Sequence, residues 1–210
     1  MFREVLRKVC VDELRHEVVG EAEDGAHAVE IVGRTAPDMV LLDLHLPLLD
    51  GFGVVEAIRK KAAQVKILIL SSHCDEYTVF RSEKVRVQGF VDKNTNSVAT
   101  LKSAISAVAD GRVWFSEAFL RAKAARHRDP RSFDKLLTER ERSVLALVGQ
   151  PLTDAEISVQ LEISEETVEK HRFNILHKLD LQSTTELIRY ARAHGFTLTA
   201  RQSDDGALLP

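Results

Sequence analysis

Val40-Leu41-Leu42-Asp43-Leu44-His45-Leu46-Pro47-Leu48-Leu49-Asp50-Gly51 places one carboxylate at the end of an apolar run that a turn closes at once. A short run of Val, Ile and Leu is the pattern of a strand buried on both faces of a parallel sheet. In an open α/β sheet the chemistry collects outside the carboxyl ends of the strands, and Asp43 stands at that edge. Two further groups fall there. Lys66-Ile-Leu-Ile-Leu70 ends in Ser71, 28 residues after Asp43, and Gly89-Phe90-Val91-Asp92 ends in Lys93, 50 residues after it. Three apolar strands therefore bring an acid, a hydroxyl and an ammonium to one edge.

That set suits a phosphoryl group on Asp43. The carboxylate attacks phosphorus, Lys93 offsets the anionic oxygens and Ser71 donates a hydrogen bond to one of them. Singly, a strand-end Asp is often a helix cap, a strand-end Ser a turn residue and a Lys a solvated charge. It is their conjunction that carries the reading. His73 and Cys74, just past Ser71, have no second Cys/His pair at ligand spacing, so they read as loop residues.

The combination resembles the receiver domain of bacterial response regulators, over roughly residues 1 to 115. The resemblance implies a flavodoxin-like α/β fold with a parallel sheet, and a sensor histidine kinase as phosphoryl donor to Asp43. Phe90, three before Lys93, matches the aromatic switch position. Such a receiver begins with a strand ending in two acids, which hold Mg²⁺ together with the phosphorylated Asp. This chain starts in what resembles the following helix, Phe2-Arg-Glu-Val-Leu-Arg. The expectation is an N-terminally truncated receiver whose Mg²⁺ site is incomplete, Asp43 being its one ligand. Asp12-Glu13 does not substitute, because only three residues separate Glu13 from the strand expected at Glu17. Too little chain lies between them for a helix and crossover, so the pair reads as loop.

The 210 residues are 44% hydrophobic and 29% charged, enough for two separate cores. No run approaches the ~20 apolar residues of a membrane span, and the N-terminus lacks a signal-peptide core. Cys10 and Cys74 are too few for a disulfide framework, and a reducing cytoplasm fits. Strand-like runs at 17–21, 38–43, 66–71 and 88–92 alternate with helix-like segments near 25–34, 51–62, 75–85 and 97–110. From Arg121 to Lys135 six Lys or Arg residues accumulate around Pro130, which reads as a linker holding some helix. The expected organisation is a receiver over 1–115, a linker over 116–136, an all-α domain over 137–200 and a tail over 201–210.

Within the second domain Thr138 and Glu141 form a capping box, Thr153 caps 154–161, Ser164 caps 165–179, and Ser183 or Thr184 opens a last helix ending before Gly195. The short turn Glu162-Ile163-Ser164 between two amphipathic helices is a helix-turn-helix arrangement, whose second helix enters a DNA major groove. On that helix Val168, Ile175 and Leu179 share one face, while Glu166, Lys170, Phe173 and His177 share the opposite one. Leu137-Thr-Glu-Arg-Glu, Ala155-Glu-Ile and Thr167-Val-Glu-Lys-His-Arg-Phe-Asn-Ile-Leu-His-Lys-Leu resemble the LuxR-type helix-turn-helix of the NarL/FixJ response regulators over 137–196.

This second resemblance implies a DNA-binding transcription regulator that acts as a homodimer. Thr167, Glu169, Lys170, His171, Arg172, Asn174 and Lys178 are the expected DNA-facing residues. Lys170 is expected on a base, Arg172 and Lys178 on phosphates, and Glu169, where the family commonly has a basic residue, on a cytosine amino group. Leu187, Tyr190 and Ala191 fall at helical spacing and are the expected contact between copies. Residues 137–200 carry seven Lys/Arg against ten Asp/Glu, so non-specific attraction to phosphate is weak. Two other readings remain open at this point. One is a phosphorylation-independent DNA-binding regulator whose degenerate receiver is a dimerisation platform. The other is a haloacid-type phosphatase, which would want an Asp where this chain has His45, and no enzymatic activity is expected.

Overall fold

A computed structural model describes residues 2–46, 50–94, 97–150 and 152–196. The expected tail over 201–210 and the end of the all-α domain at 197–200 lie outside the described residues. Contacts divide the chain into two units. The first runs through Cys74 and resumes at Arg81–Leu120; the second takes in Asp75–Phe80 and the described residues from Arg121 to Phe196.

In the first unit α1 (Phe2–Lys8) continues into a π-helical turn, Val9–Glu13. Asp12 and Glu13 are therefore helical rather than loop, and Glu13 is held by Lys102 at 2.5 Å. There follow α2 (Gly25–Thr35), β1 (Met39–Asp43), α3 (Gly51–Lys61), β2 (Lys66–Ser71), α4 (Glu76–Lys84, whose first five residues belong to the second unit), β3 (Gly89–Asp92), α5 (Val98–Ala109) and the two-residue β4 (Trp114–Phe115). All pairings are parallel, in the order β1-β2-β3-β4. Ile67, Leu68, Ile69 and Leu70 are each at most 1% exposed, as a parallel sheet covered on both faces requires. Leu68 and Leu70 join Val9, Val91, Leu101 and Ile105 in one cluster. Asp24, Asp50 and Ser97 cap α2, α3 and α5 with their side chains, each accepting from a backbone N–H in the first turn.

The strand expected at 17–21 does not form. Among the described residues β1 pairs only with β2, and a stretch of chain becomes a strand only when a neighbour answers its amides. Instead an open groove of about 1190 Å³ lies along β1, with His16–Asp24 among its walls and Leu6, Cys10 and Ile31 lining it.

In the second unit the segment expected as linker is mostly helix: α6 (Glu117–Arg128) and α7 (Phe133–Leu136), parted around Pro130. Four further helices follow, α8 (Glu139–Val148), α9 (Asp154–Leu161), α10 (Glu165–Leu179) and α11 (Thr184–Ala193). The Thr138–Glu141 capping box is present, and a second one joins Thr153 to Glu156. Ser164 and Ser183 cap α10 and α11. Phe133, Val144, Leu145, Ile157, Val168, Ile175 and Phe196 form the core. No helix among the described residues is long and apolar enough to cross a membrane.

Candidate functional site

The sheet edge of the first unit holds the phosphoacceptor candidates. Register places Asp43 beside Leu70 and Ser71 beside Asp92, so the acid and the hydroxyl end neighbouring strands, one residue out of register. Asp43 Oδ2 accepts from Lys93 Nζ at 2.5 Å, and Oδ1 accepts from the His45 backbone N–H at 3.0 Å. Ser71 is buried; its Oγ accepts from the His73 N–H at 3.1 Å, and its carbonyl accepts from the Lys93 N–H at 2.8 Å. Asn94 Nδ2 donates to the Ser72 carbonyl at 2.6 Å, tying the loop after β3 to the loop after β2. Phe90 is fully buried, its ring 5.1 Å from that of Phe119.

Gly51 closes the pocket from below: an added Cβ would lie 2.6 Å from Leu44 Cα and 2.7 Å from the Asp43 carbonyl oxygen. Sequence reasoning missed one feature. His45 and His73 meet with ring centroids 4.5 Å apart and planes tilted by 41°, and His45 Nδ1 is 4.0 Å from Asp43 Oδ1. Nothing in the spacing of residues 45 and 73 announces that contact, because it is made by two loops.

The described residues do not fit a Mg²⁺ ion. That ion wants near-octahedral oxygen ligation. Asp43 brings one carboxylate, both of whose oxygens are engaged, and no group of three or more His, Cys, Asp or Glu able to hold a metal occurs among the described residues.

The second unit holds the nucleic-acid candidates, and it sorts them. Lys170 and Glu169 are exposed on α10, and Lys170 makes no ion pair or hydrogen bond among the described residues. Asn174 is half-buried beside them. Thr167 is tied to the cap of α10: its N–H donates to Ser164 Oγ and its hydroxyl lies 2.8 Å from the same atom. His171 is half-buried, with Nδ1 enclosed and without a hydrogen-bond partner among the described residues.

Arg172 and Lys178, both expected on phosphates, are engaged within the unit. Arg172 is ion-paired with Asp154 at the start of α9. Lys178 Nζ donates to both Glu141 oxygens, at 2.9 and 2.8 Å, and the Glu141 side chain is 4% exposed. Burial pushes the Glu141 carboxyl up, but Lys178 and the Thr138 amide and hydroxyl outweigh it and hold the group below the usual carboxylate range. Arg140, Arg142 and Arg192 are likewise spent on main-chain carbonyls, those of Leu161, Leu137 and Gly149. The contact expected between copies needs correcting too. Leu187 and Ala191 are fully buried in the unit's own core, so neither is a surface. Burial pushes the Tyr190 phenol up to about 12, with Glu76, Asp129 and Asp134 adding to it.

Residues 1–106 match the profile of the response regulator receiver domain, and residues 135–191 match that of the bacterial regulatory proteins of the luxR family. The chain belongs to the response regulators. This regulator joins a receiver to a LuxR-type DNA-binding domain, the make-up of a two-component transcription regulator. It is 31% identical to the response regulator protein VraR of Staphylococcus aureus (strain Mu3 / ATCC 700698) over 178 residues, 85% of each chain. The VraR of Staphylococcus saprophyticus is 30% identical over the same share. Among solved structures it resembles RcsB of Salmonella enterica serovar Typhimurium, bound to a promoter in the presence of phosphomimetic BeF3⁻ (TM-score 0.60, 20% identity, 91% of this chain and 93% of that one). The response regulator ChrA of a heme-sensing two-component system matches at TM-score 0.50 and 26% identity, covering 92% of both chains.

Proposed function

We propose that this regulator reads DNA as a homodimer through the outward face of α10, in the cytoplasm, and that Asp43 is where a sensor histidine kinase writes its signal. The observation that supports the DNA reading best is the distribution of cations. Among residues 137–196 five of the seven Lys and Arg side chains are taken by internal partners; Lys170 and Arg189 are left, and Lys170 lies on the face of α10 opposite the buried Val168 and Ile175. A cation kept free at that position suits guanine O6 and N7 in a major groove. Glu169, on the same face, suits a cytosine amino group. Lys170→Ala is expected to cost about 1–3 kcal/mol on the operator and to relax preference at one position. Titration against operator and scrambled duplex checks this, and equal loss on both would move Lys170 to a phosphate.

For the signal, an Asp43 oxygen attacks phosphorus of a phosphohistidine, the N–P bond breaks, and the electron pair returns to the departing imidazole. Lys93 keeps its proton and moves from the carboxylate to the phosphoryl oxygens. No step here is carried by a metal. With Lys93 as the charge supplied at the pocket, the 210-residue chain is expected to accept phosphate poorly. That no group of three or more His, Cys, Asp or Glu able to hold a metal gathers at Asp43 among the described residues favours a second reading, in which the receiver is a dimerisation platform and Asp43 is idle. Acetyl phosphate with Mg²⁺, followed by intact mass, separates the two. Modification lost in Asp43→Asn supports the first reading; an unmodified chain that still binds operator supports the second.

A further inference from the structure

We propose that Phe173 is a specificity residue that reads thymine through its C5-methyl group; the proposal rests on the DNA reading of α10. Phe173 is 70% exposed, whereas the unit's other phenylalanines are covered, Phe133 and Phe196 fully and Phe80 in part. On α10 it lies opposite the buried stripe of Val168 and Ile175, at the middle of the face that carries Lys170, Glu166 and His177. The ring therefore adds nothing to the core, and its exposure is a standing cost to solubility.

In a major groove that same ring discriminates. Thymine alone among the four bases presents a methyl group there, whereas adenine, guanine and cytosine present donors and acceptors. A phenyl ring pressed on those edges strips them of water and returns no hydrogen bond. Phe173 thus gains by burying a methyl and loses on every other base. Lys170 lies three residues earlier, about 4.5 Å along the helix axis, close to the ~3.4 Å step between bases on a strand. The two side chains accordingly address neighbouring base pairs, a guanine for the ammonium and a thymine for the ring. Glu169 and Glu166 on the same face repel phosphates, which keeps this part of α10 over base edges.

The test uses the full chain. Duplexes are selected from a random pool, and each thymine of the selected site is then replaced by deoxyuridine, which removes only the methyl. One position per half-site is expected to weaken wild type about fourfold on that replacement, the worth of one buried methyl. Phe173→Ala should bind the thymine and deoxyuridine duplexes equally, and Phe173→Leu should retain part of the difference. The proposal is overturned if no deoxyuridine replacement distinguishes wild type from Phe173→Ala. It is overturned as well if Phe173→Ala changes association of the protein without DNA and leaves base preference intact, for then the ring serves a contact between copies. Enrichment of no sequence at all is a different result: it removes the DNA reading of α10 itself.

Discussion

Replacing Lys178 by methionine keeps the aliphatic stem of the side chain and deletes the ammonium from which both Glu141 oxygens accept, at 2.9 and 2.8 Å. Glu141 would retain the Thr138 amide and hydroxyl, each at 2.8 Å, and so would stay bonded on one side only. Stranding a fully buried charge costs about 3–5 kcal/mol. Lys178 is 36% exposed although Glu141 is 4%, so water takes over part of its role and the expected loss falls to about 1–2 kcal/mol. For a domain of this size that is a drop of about 5–15 °C in the helical melting transition. Far-UV circular dichroism of the full chain, with hydrogen exchange of the α8 and α10 amides, measures it. The pH dependence has a definite sign. The Glu141 pKa is depressed below 4.5 in the folded protein, so its stabilisation is present above the unfolded value and is lost as pH falls through the folded one. The gap between wild type and Lys178→Met should be widest near neutrality and close on acidification. Unchanged melting and exchange, combined with weaker binding to every DNA sequence, would refute the reasoning and return Lys178 to the phosphates.

Arg172→Ala should likewise destabilise the helical unit, by about 1 kcal/mol, by freeing Asp154, and it should leave the salt slope of DNA binding unchanged where loss of a phosphate contact flattens it by about one ion. Leu187→Glu places a carboxylate where the side chain is fully buried; a loss of about 4 kcal/mol or more is expected, visible as lost helix signal rather than as a folded monomer in sedimentation. Gly51→Ala forces its Cβ against the backbone of Asp43 and Leu44, for about 1–3 kcal/mol, and the fluorescence of Trp114, the chain's single Trp, reports the melting of the unit concerned.

The sequence made legible what local patterning decides. Apolar runs placed β1, β2 and β3, and Thr and Ser caps marked the starts of α8, α9 and α10, because these signals lie within a few residues of the element they specify. What escaped was decided by distant groups. The run at 17–21 has the composition of a strand, yet pairing needs a neighbour that composition does not show. Arg172 and Lys178 sit toward the sides of α10 on a helical wheel, and the wheel is blind to Asp154, 18 positions away, and to Glu141, 37 positions away. Leu187 and Ala191 make a regular apolar stripe, which reads the same whether it faces the domain's own core or a second copy. At the phosphoacceptor edge the spacing brought Asp43, Ser71 and Lys93 to one place, while the contact of His45 with His73 came from loop geometry that no period encodes.

The groove along β1 bears on how this protein behaves at high concentration. A parallel edge strand whose outer amides are unanswered among the described residues, set beside a groove lined by Leu6, Val18 and Ile31 as well as by charged side chains, is a template for another chain. Natural sheets blunt such edges with charge, proline or a bulge, and Met39-Val-Leu-Leu42 carries none of these. Self-association that grows with protein concentration, binds a hydrophobic dye and is suppressed by Leu41→Lys is the expected signature, and it sets a practical ceiling on the concentrations at which the regulator can be handled.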